Sequence, residues 1–243
     1  MPKEYALARL RSLKTQLKAW LESPEWRQHL PEIAEGGMAS AGPLMAFLMY
    51  EPVMRLRSAV ALGTLATTLY PEHPEQAKDV MRRLMWRMSE ESGNIGWGVP
   101  EAYAEILVQC DAMTKPFCGM LLTTIIDLGR DDNYCDNDVL RRSCFFAIGR
   151  FLQAKPEFGA SIRQYLRKAV AEDKDPFCRG YAAWALGKLP SDLNDAFALR
   201  RLAEEDCPEM CFITDGDRNW QCTVSEIAKL ALAGKAPEDE PAR

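Results

Sequence analysis

The sequence predicts an all-α fold, an α-solenoid of about six helix pairs with one small β-hairpin near the C-terminus. Three observations carry that prediction. Apolar residues recur at three-and-four spacing along most of the chain. One fifteen-residue pattern returns three times. Only one stretch, around Asp215-Gly216, reads as paired strands.

The elements follow in order. Tyr5, Leu7, Leu10, Leu13, Leu17, Trp20 and Leu21 form one apolar stripe, a helix that Ser23-Pro24-Glu25 stops and restarts. Glu35-Gly36-Gly37 breaks the next segment, and a short buried helix is expected around residues 44–49. Val80, Met81, Leu84, Met85 and Met88 make an amphipathic helix over residues 77–89. A glycine-rich loop follows, and Pro100 and Glu101 suit the first turn of a helix over residues 99–109. Residues 192–205 read as another helix. The segment CPEMCFITDGDRNWQC (207–222) does not, and its hairpin (about residues 209–222) is an insertion in the last helix pair. Thr223 and Glu226 form a capping box for a final helix. One domain is expected over residues 1–234, and residues 235–243, polar and rich in proline, are expected to be disordered.

The recurring pattern is EPVMRLRSAVALGTL (51–65), NDVLRRSCFFAIGRF (137–151) and DPFCRGYAAWALGKL (175–189). Each carries an arginine (Arg55, Arg141, Arg179) eight residues before a glycine (Gly63, Gly149, Gly187), and Pro52, Asp138 or Pro176 opens the helix. The same frame puts Trp97 at the arginine position of a degraded central unit, with offsets of 42, 44 and 38 residues. The small residues are expected to let this second helix of each unit approach the first. A period near forty with two helices per unit resembles the HEAT repeat family, in particular the PBS-lyase HEAT-like type. The resemblance covers residues 43–189 and implies that the repeat arginines pair with acids of the adjacent unit. The string WRMSEESGNIGWGVPEA also resembles one in uncharacterised HEAT-repeat proteins of anaerobic bacteria, which implies no activity.

Composition narrows the function. A formal net charge of −5 disfavours a nucleic-acid binder, which would normally show a basic stripe. The most apolar run, residues 43–50, is far too short to span a bilayer, and the amino-terminal residues alternate charge with apolar groups, unlike a secretory signal. A cytoplasmic protein with its eight cysteines reduced is expected.

Two places have the residue types of a site. In residues 85–105, MWRMSEESGNIGWGVPEAYAE, the side chains of Glu90, Glu91, Ser92, Asn94, Trp97 and Glu101 could line a pocket for a cation, a peptide or a small polar ligand; the competing reading is a tightly wound structural loop. The loop lacks the lysine and Ser/Thr of a P-loop, and its acids would repel phosphate. In the hairpin, Cys207, Cys211 and Cys222 fall on one face if the turn is Asp215-Gly216, with Cys211 opposite Trp220. Three thiols would suit zinc or an iron–sulfur cluster, but a fourth ligand is not evident, and buried inert cysteines are the competing reading. His29 and His73 lie far apart, which argues against a hydrolytic triad or a His-based metal site. Asp131-Asp132-Asn133 and Asp136-Asn137-Asp138 read as helix capping rather than a calcium loop.

The expected function is therefore non-catalytic: an adaptor whose concave, armadillo-like face binds a protein or peptide, with no cofactor. The alternative is a small-ligand, metal or tetrapyrrole-handling protein using the 90–100 loop or the three hairpin cysteines. The resemblance keeps that alternative open, because phycobilin lyases and alkylpurine glycosylases use related scaffolds.

Overall fold

A computed structural model describes residues 3–88, 96–129 and 132–241. It divides into two compact units, 1–115 and 116–243. Each unit stacks helices in pairs, the packing of an α-solenoid, and the only strands among the described residues form one hairpin.

In the first unit the helices are α1 (Lys3–Glu22), α2 (Leu30–Glu35), α3 (Met38–Phe47), α4 (Pro52–Leu69), α5 (Pro74–Met88) and α6 (Val99–Gln109), with α7 (Asp111–Leu122) opening at the end of the unit. α4 packs along α6, while α1, α2, α3 and α5 flank α4. The buried helix expected near residues 44–49 begins earlier, at Met38, and carries Pro43 inside it. Pro43 is the sixth of its ten residues, beyond the four amides that a helix leaves unpaired, so it removes one backbone donor inside this short buried helix.

The second unit holds α8 (Asp138–Ala154), α9 (Arg163–Glu172), α10 (Pro176–Leu186), α11 (Leu193–Glu204), β1 (Met210–Thr214), β2 (Asn219–Thr223) and α12 (Val224–Leu232). α8, α10 and α12 pack in sequence as one row, and α9 packs on α10 and α11 to build the other. Local chemistry sets the starts. Glu51 accepts from the Val53 and Met54 amides, Asn137 from Leu140, and Asp175 from Phe177 and Cys178. Each satisfies amide donors that a helix leaves unpaired in its first turn. Thr223 and Glu226 make the expected capping box.

The repeat glycines act differently from expectation. They face the equivalent helix of the next repeat, not the partner in their own pair. A Cβ at Gly63 on α4 would lie 2.9 Å from the Glu105 carbonyl oxygen on α6. One at Gly149 on α8 would lie 2.4 Å from the Trp184 ring on α10, and one at Gly187 would lie 3.0 Å from Ala231 Cβ on α12. The small residues therefore set the stacking distance between successive repeat helices within each unit. The central unit also departs from its frame: α6 starts at Val99, whereas a shift of 42 from Pro52 would start it at residue 94.

Two further differences concern the end of the chain. The strands pair Cys211 with Cys222 and Ile213 with Trp220, so Cys211 does not oppose Trp220. The turn is longer than Asp215-Gly216 because Asp215 folds back on it, accepting from the Asp217 and Arg218 amides, while Gly216 takes a φ of 90°. Residues 235–241, expected to be disordered, instead lie against the second unit, with a 3-10 turn over Pro237–Asp239 and Pro237 buried.

Candidate binding site

The repeat arginines build the frame on which any site sits. Arg55 donates from Nε to the Leu48 carbonyl and from Nη2 to the Tyr50 carbonyl, and its Nη1 lies 3.9 Å from Glu101. Arg141 donates to the Cys135 and Asp136 carbonyls and pairs with Asp173 and Asp138. Arg179 donates to the Val170 carbonyl and pairs with Glu205. Arg55 and Arg141 thus satisfy carbonyls just before their own helices, Arg179 satisfies one in the last turn of α9, and each also meets an acid further along the chain.

That pattern decides Glu101. It is 5% exposed and faces Arg55, so among the candidate loop residues it serves the frame. Gly98 has a φ of 72°, and a Cβ there would lie 2.8 Å from Leu48 and from Arg55, which is why the loop needs glycine at that point. Trp97 is half-buried. Glu90, Glu91, Ser92 and Asn94 lie outside the described residues.

Beside Arg141 a cleft of about 380 Å³ is lined by Asp127, Tyr134, Asp138, Tyr165, Lys168 and Glu172, among others. Its acids and bases are interleaved, and Arg141 is already committed. Burial opposes the Arg141 charge, but the hydrogen bonds it donates to Asp173 and Asp138 outweigh that and raise its pKa. The neighbouring Cys178 thiol is pushed up by burial and then by Asp173 and Asp175.

The hairpin cysteines do not gather as a metal site. Among the described residues no group of three His, Cys, Asp or Glu side chains is arranged to hold a metal ion. Cys211 is fully buried over α10, where a Cβ at Gly180 would lie 2.6 Å from its sulfur. Cys207 instead donates to Glu209 at 3.1 Å. Burial, then Glu209, raises the Cys207 thiol to about 11; burial, then the neighbouring Cys207 and Cys222, raises Cys211 to about 12.

One locus was not visible in the sequence. Trp184 on α10 stacks on Phe146 of α8 with ring centroids 5.2 Å apart, and donates from Nε1 to Glu238 at 3.0 Å. Lys188 lies over the Trp184 ring and pairs with the other Glu238 oxygen at 2.9 Å. Trp220 on β2 donates from Nε1 to the Glu240 carbonyl at 3.0 Å. Two indoles and one ammonium, from α10, the turn after it and the hairpin, therefore hold a short acidic, proline-containing segment through one side chain and one backbone carbonyl. The partners lie 50, 54 and 20 residues apart.

An uncharacterised protein of Archaeoglobus fulgidus is 27% identical over 163 residues, covering 67% of this chain and 81% of that protein. No protein-family profile matches the chain. Among solved structures, a designed armadillo repeat protein in complex with the peptide (KR)4 is 15% identical with a TM-score of 0.45, covering 90% of this chain and 98% of its own. An engineered protein is 17% identical with a TM-score of 0.46, covering 92% and 96%. Likenesses this weak add nothing to the fold derived from the helix packing. No helix among the described residues is long and apolar enough to cross a membrane.

Proposed function

We propose that the protein is a non-catalytic peptide-binding adaptor, and that the surface made by Trp184 at the end of α10 and Lys188 just beyond it, with Trp220, takes an acidic segment containing proline. What supports this is one observation: the chain's own residues 235–241 occupy that face, with Glu238 shared between the Trp184 indole and the Lys188 ammonium. The chemistry of the seat is suited to a short peptide. A carboxylate accepts one hydrogen bond and one charge-assisted bond, and a backbone carbonyl is gripped two residues later by Trp220. Pro237 is buried, and a proline costs less entropy to order than a flexible residue. The resident segment competes with any partner at the high effective concentration of a tethered ligand, so a partner with the same chemistry binds by displacing it. The same reading places the wider partner surface on the row of repeat helices.

The test uses a chain ending at Gly234 and a fluorescent synthetic peptide of sequence KAPEDEPAR. Saturable binding to the shortened chain, at least about tenfold weaker binding to the full chain, and loss with Lys188→Glu support the proposal. Equal binding of a scrambled peptide, or no binding to a shortened chain that keeps its helical circular dichroism, overturns it.

A further inference from the structure

We propose that Cys211 and Cys222 form a reversible thiol–disulfide couple, a redox modification site whose oxidant is a low-molecular-weight disulfide. The carrying observation is register. Cys211 and Cys222 stand directly opposite each other on antiparallel strands, so both side chains leave the same face of the hairpin. Hydrogen bonds from the Asp215 amide to the Arg218 carbonyl and from the Val224 amide to the Glu209 carbonyl bracket the pair. Counting inward by twos from either bond makes Cys211–Cys222 a hydrogen-bonded pair. Such pairs have Cα atoms about 5.5 Å apart, inside the range of about 4.4–6.8 Å that a disulfide spans. Their Cβ atoms sit further apart than a relaxed disulfide prefers, so closing the bond draws the strands in and leaves it readily reducible.

The surroundings assign the order of events. Cys222 is half-buried and lines a cavity of about 430 Å³ with Glu226, Lys229, Leu230 and Glu240, room enough for a small disulfide. Cys211 has no exposed surface and is held over Gly180. Cys222 therefore gives up its proton and attacks one sulfur of the incoming disulfide. That S–S bond breaks, a mixed disulfide forms on Cys222, and one small thiol leaves carrying a proton. Cys211 then loses its proton and attacks the Cys222 sulfur, forming the cross-strand bond and releasing the second small thiol. Two protein thiols are oxidised as one disulfide is reduced to two thiols, and the protons balance.

The third cysteine of the hairpin is not equivalent. Continuing the same register beyond the strands would put Cys207 across from Glu226 rather than from a thiol, and its S–H is given to Glu209. The couple also neighbours Trp220, which holds the Glu240 carbonyl, so its redox state would bear on the segment seated there.

The experiment treats the reduced full chain with oxidised glutathione, quenches in acid and maps the peptides by mass spectrometry. Loss of two free thiols with a Cys211–Cys222 linked peptide, restored by dithiothreitol, is the expected result. Cys211→Ser should stop at a glutathione adduct on Cys222, and Cys222→Ser should leave Cys211 unmodified. Cys211→Ala serves as a second variant if serine at that buried position prevents folding. Two thiols that stay free, an adduct that persists on Cys222 in the unsubstituted chain, or a Cys207–Cys222 link each overturns the proposal. None of these readouts depends on peptide binding.

Discussion

Arg141 and Asp173 form a buried two-point ion pair, Nε to Oδ2 and Nη2 to Oδ1, both at 3.2 Å, with each side chain less than one-tenth exposed. The pair ties the first turn of α8 to the loop that leads into α10. Its geometry matters because a buried charge left alone is far more costly than a missing surface pair. Asp138 still pairs with Arg141 when Asp173 is neutralised, so Asp173→Asn should destabilise the protein by about 1–3 kcal/mol, and Lys at position 141 should not reproduce the two-point contact. Urea unfolding measures it. A loss below about 1 kcal/mol would place the pair with ordinary surface contacts.

The glycine row gives a second expectation. Gly149→Leu forces Trp184 out of its place and should cost roughly 1–3 kcal/mol by overpacking, in addition to weakening the hold on Glu238. Gly187→Leu should act in the same direction through Ala231. Gly119 on α7 has open space where a Cβ would go, so Gly119→Ala should stabilise by up to about 1 kcal/mol. Thermal unfolding of the three variants checks the contrast, and equal midpoints for Gly149→Leu and the parent would remove the stacking role.

Thiol chemistry supplies a pH dependence. Cys207 and Cys211 are raised to about 11 and about 12, above the value of roughly 8.5 for a free thiol. The fold thus favours their protonated forms, a contribution fully present below about pH 8.5 and lost as the pH climbs through the raised values. Alkylation of both by iodoacetamide at pH 8 should be much slower than in denaturant and should accelerate steeply with pH. Glu209→Gln removes the second-largest cause at Cys207 and should speed labelling there alone.

Asp215 behaves in the opposite sense. Burial pushes its carboxyl up, but hydrogen bonds from the Arg218 and Asp217 amides and the Arg218 guanidinium outweigh that and hold it below its usual value. A depressed carboxyl contributes stability above about pH 4, and that contribution fades as the pH falls through the lower folded value. Asp215→Ala should cost about 1 kcal/mol at neutral pH and flatten the acid limb. The Trp220 indole N–H resonance followed through an acid titration checks both. An unchanged acid limb in the variant would show that another group governs it.

Much of the helical fold was legible because its signals are local. Pro52, Asp138 and Pro176 begin α4, α8 and α10 as the repeat frame requires, and α6 occupies residues 99–109 as its Pro100 and Glu101 imply. The capping box at Thr223 and Glu226 needs only three residues to be recognised. The hairpin was legible as an element and not in register. Asp215 captures two amides of its own turn and lengthens it, which moves every cross-strand partner and puts Cys222, not Trp220, opposite Cys211. The site residues were the least legible: Glu101 carries the charge of a ligand-binding residue, yet its partner is Arg55.

The sequence by itself determined where α4, α6, α8, α10 and α12 start, which residues form apolar faces and that one motif recurs near forty residues, because capping and periodicity act over one turn of backbone. Tertiary structure decided which faces meet. Gly149 receives Trp184, Lys188 and Trp184 share Glu238, and Arg141 grips Asp173 across 32 to 54 residues of chain. Those pairings depend on helix spacing set by many small packing contacts at once, and no short window of residues contains that sum.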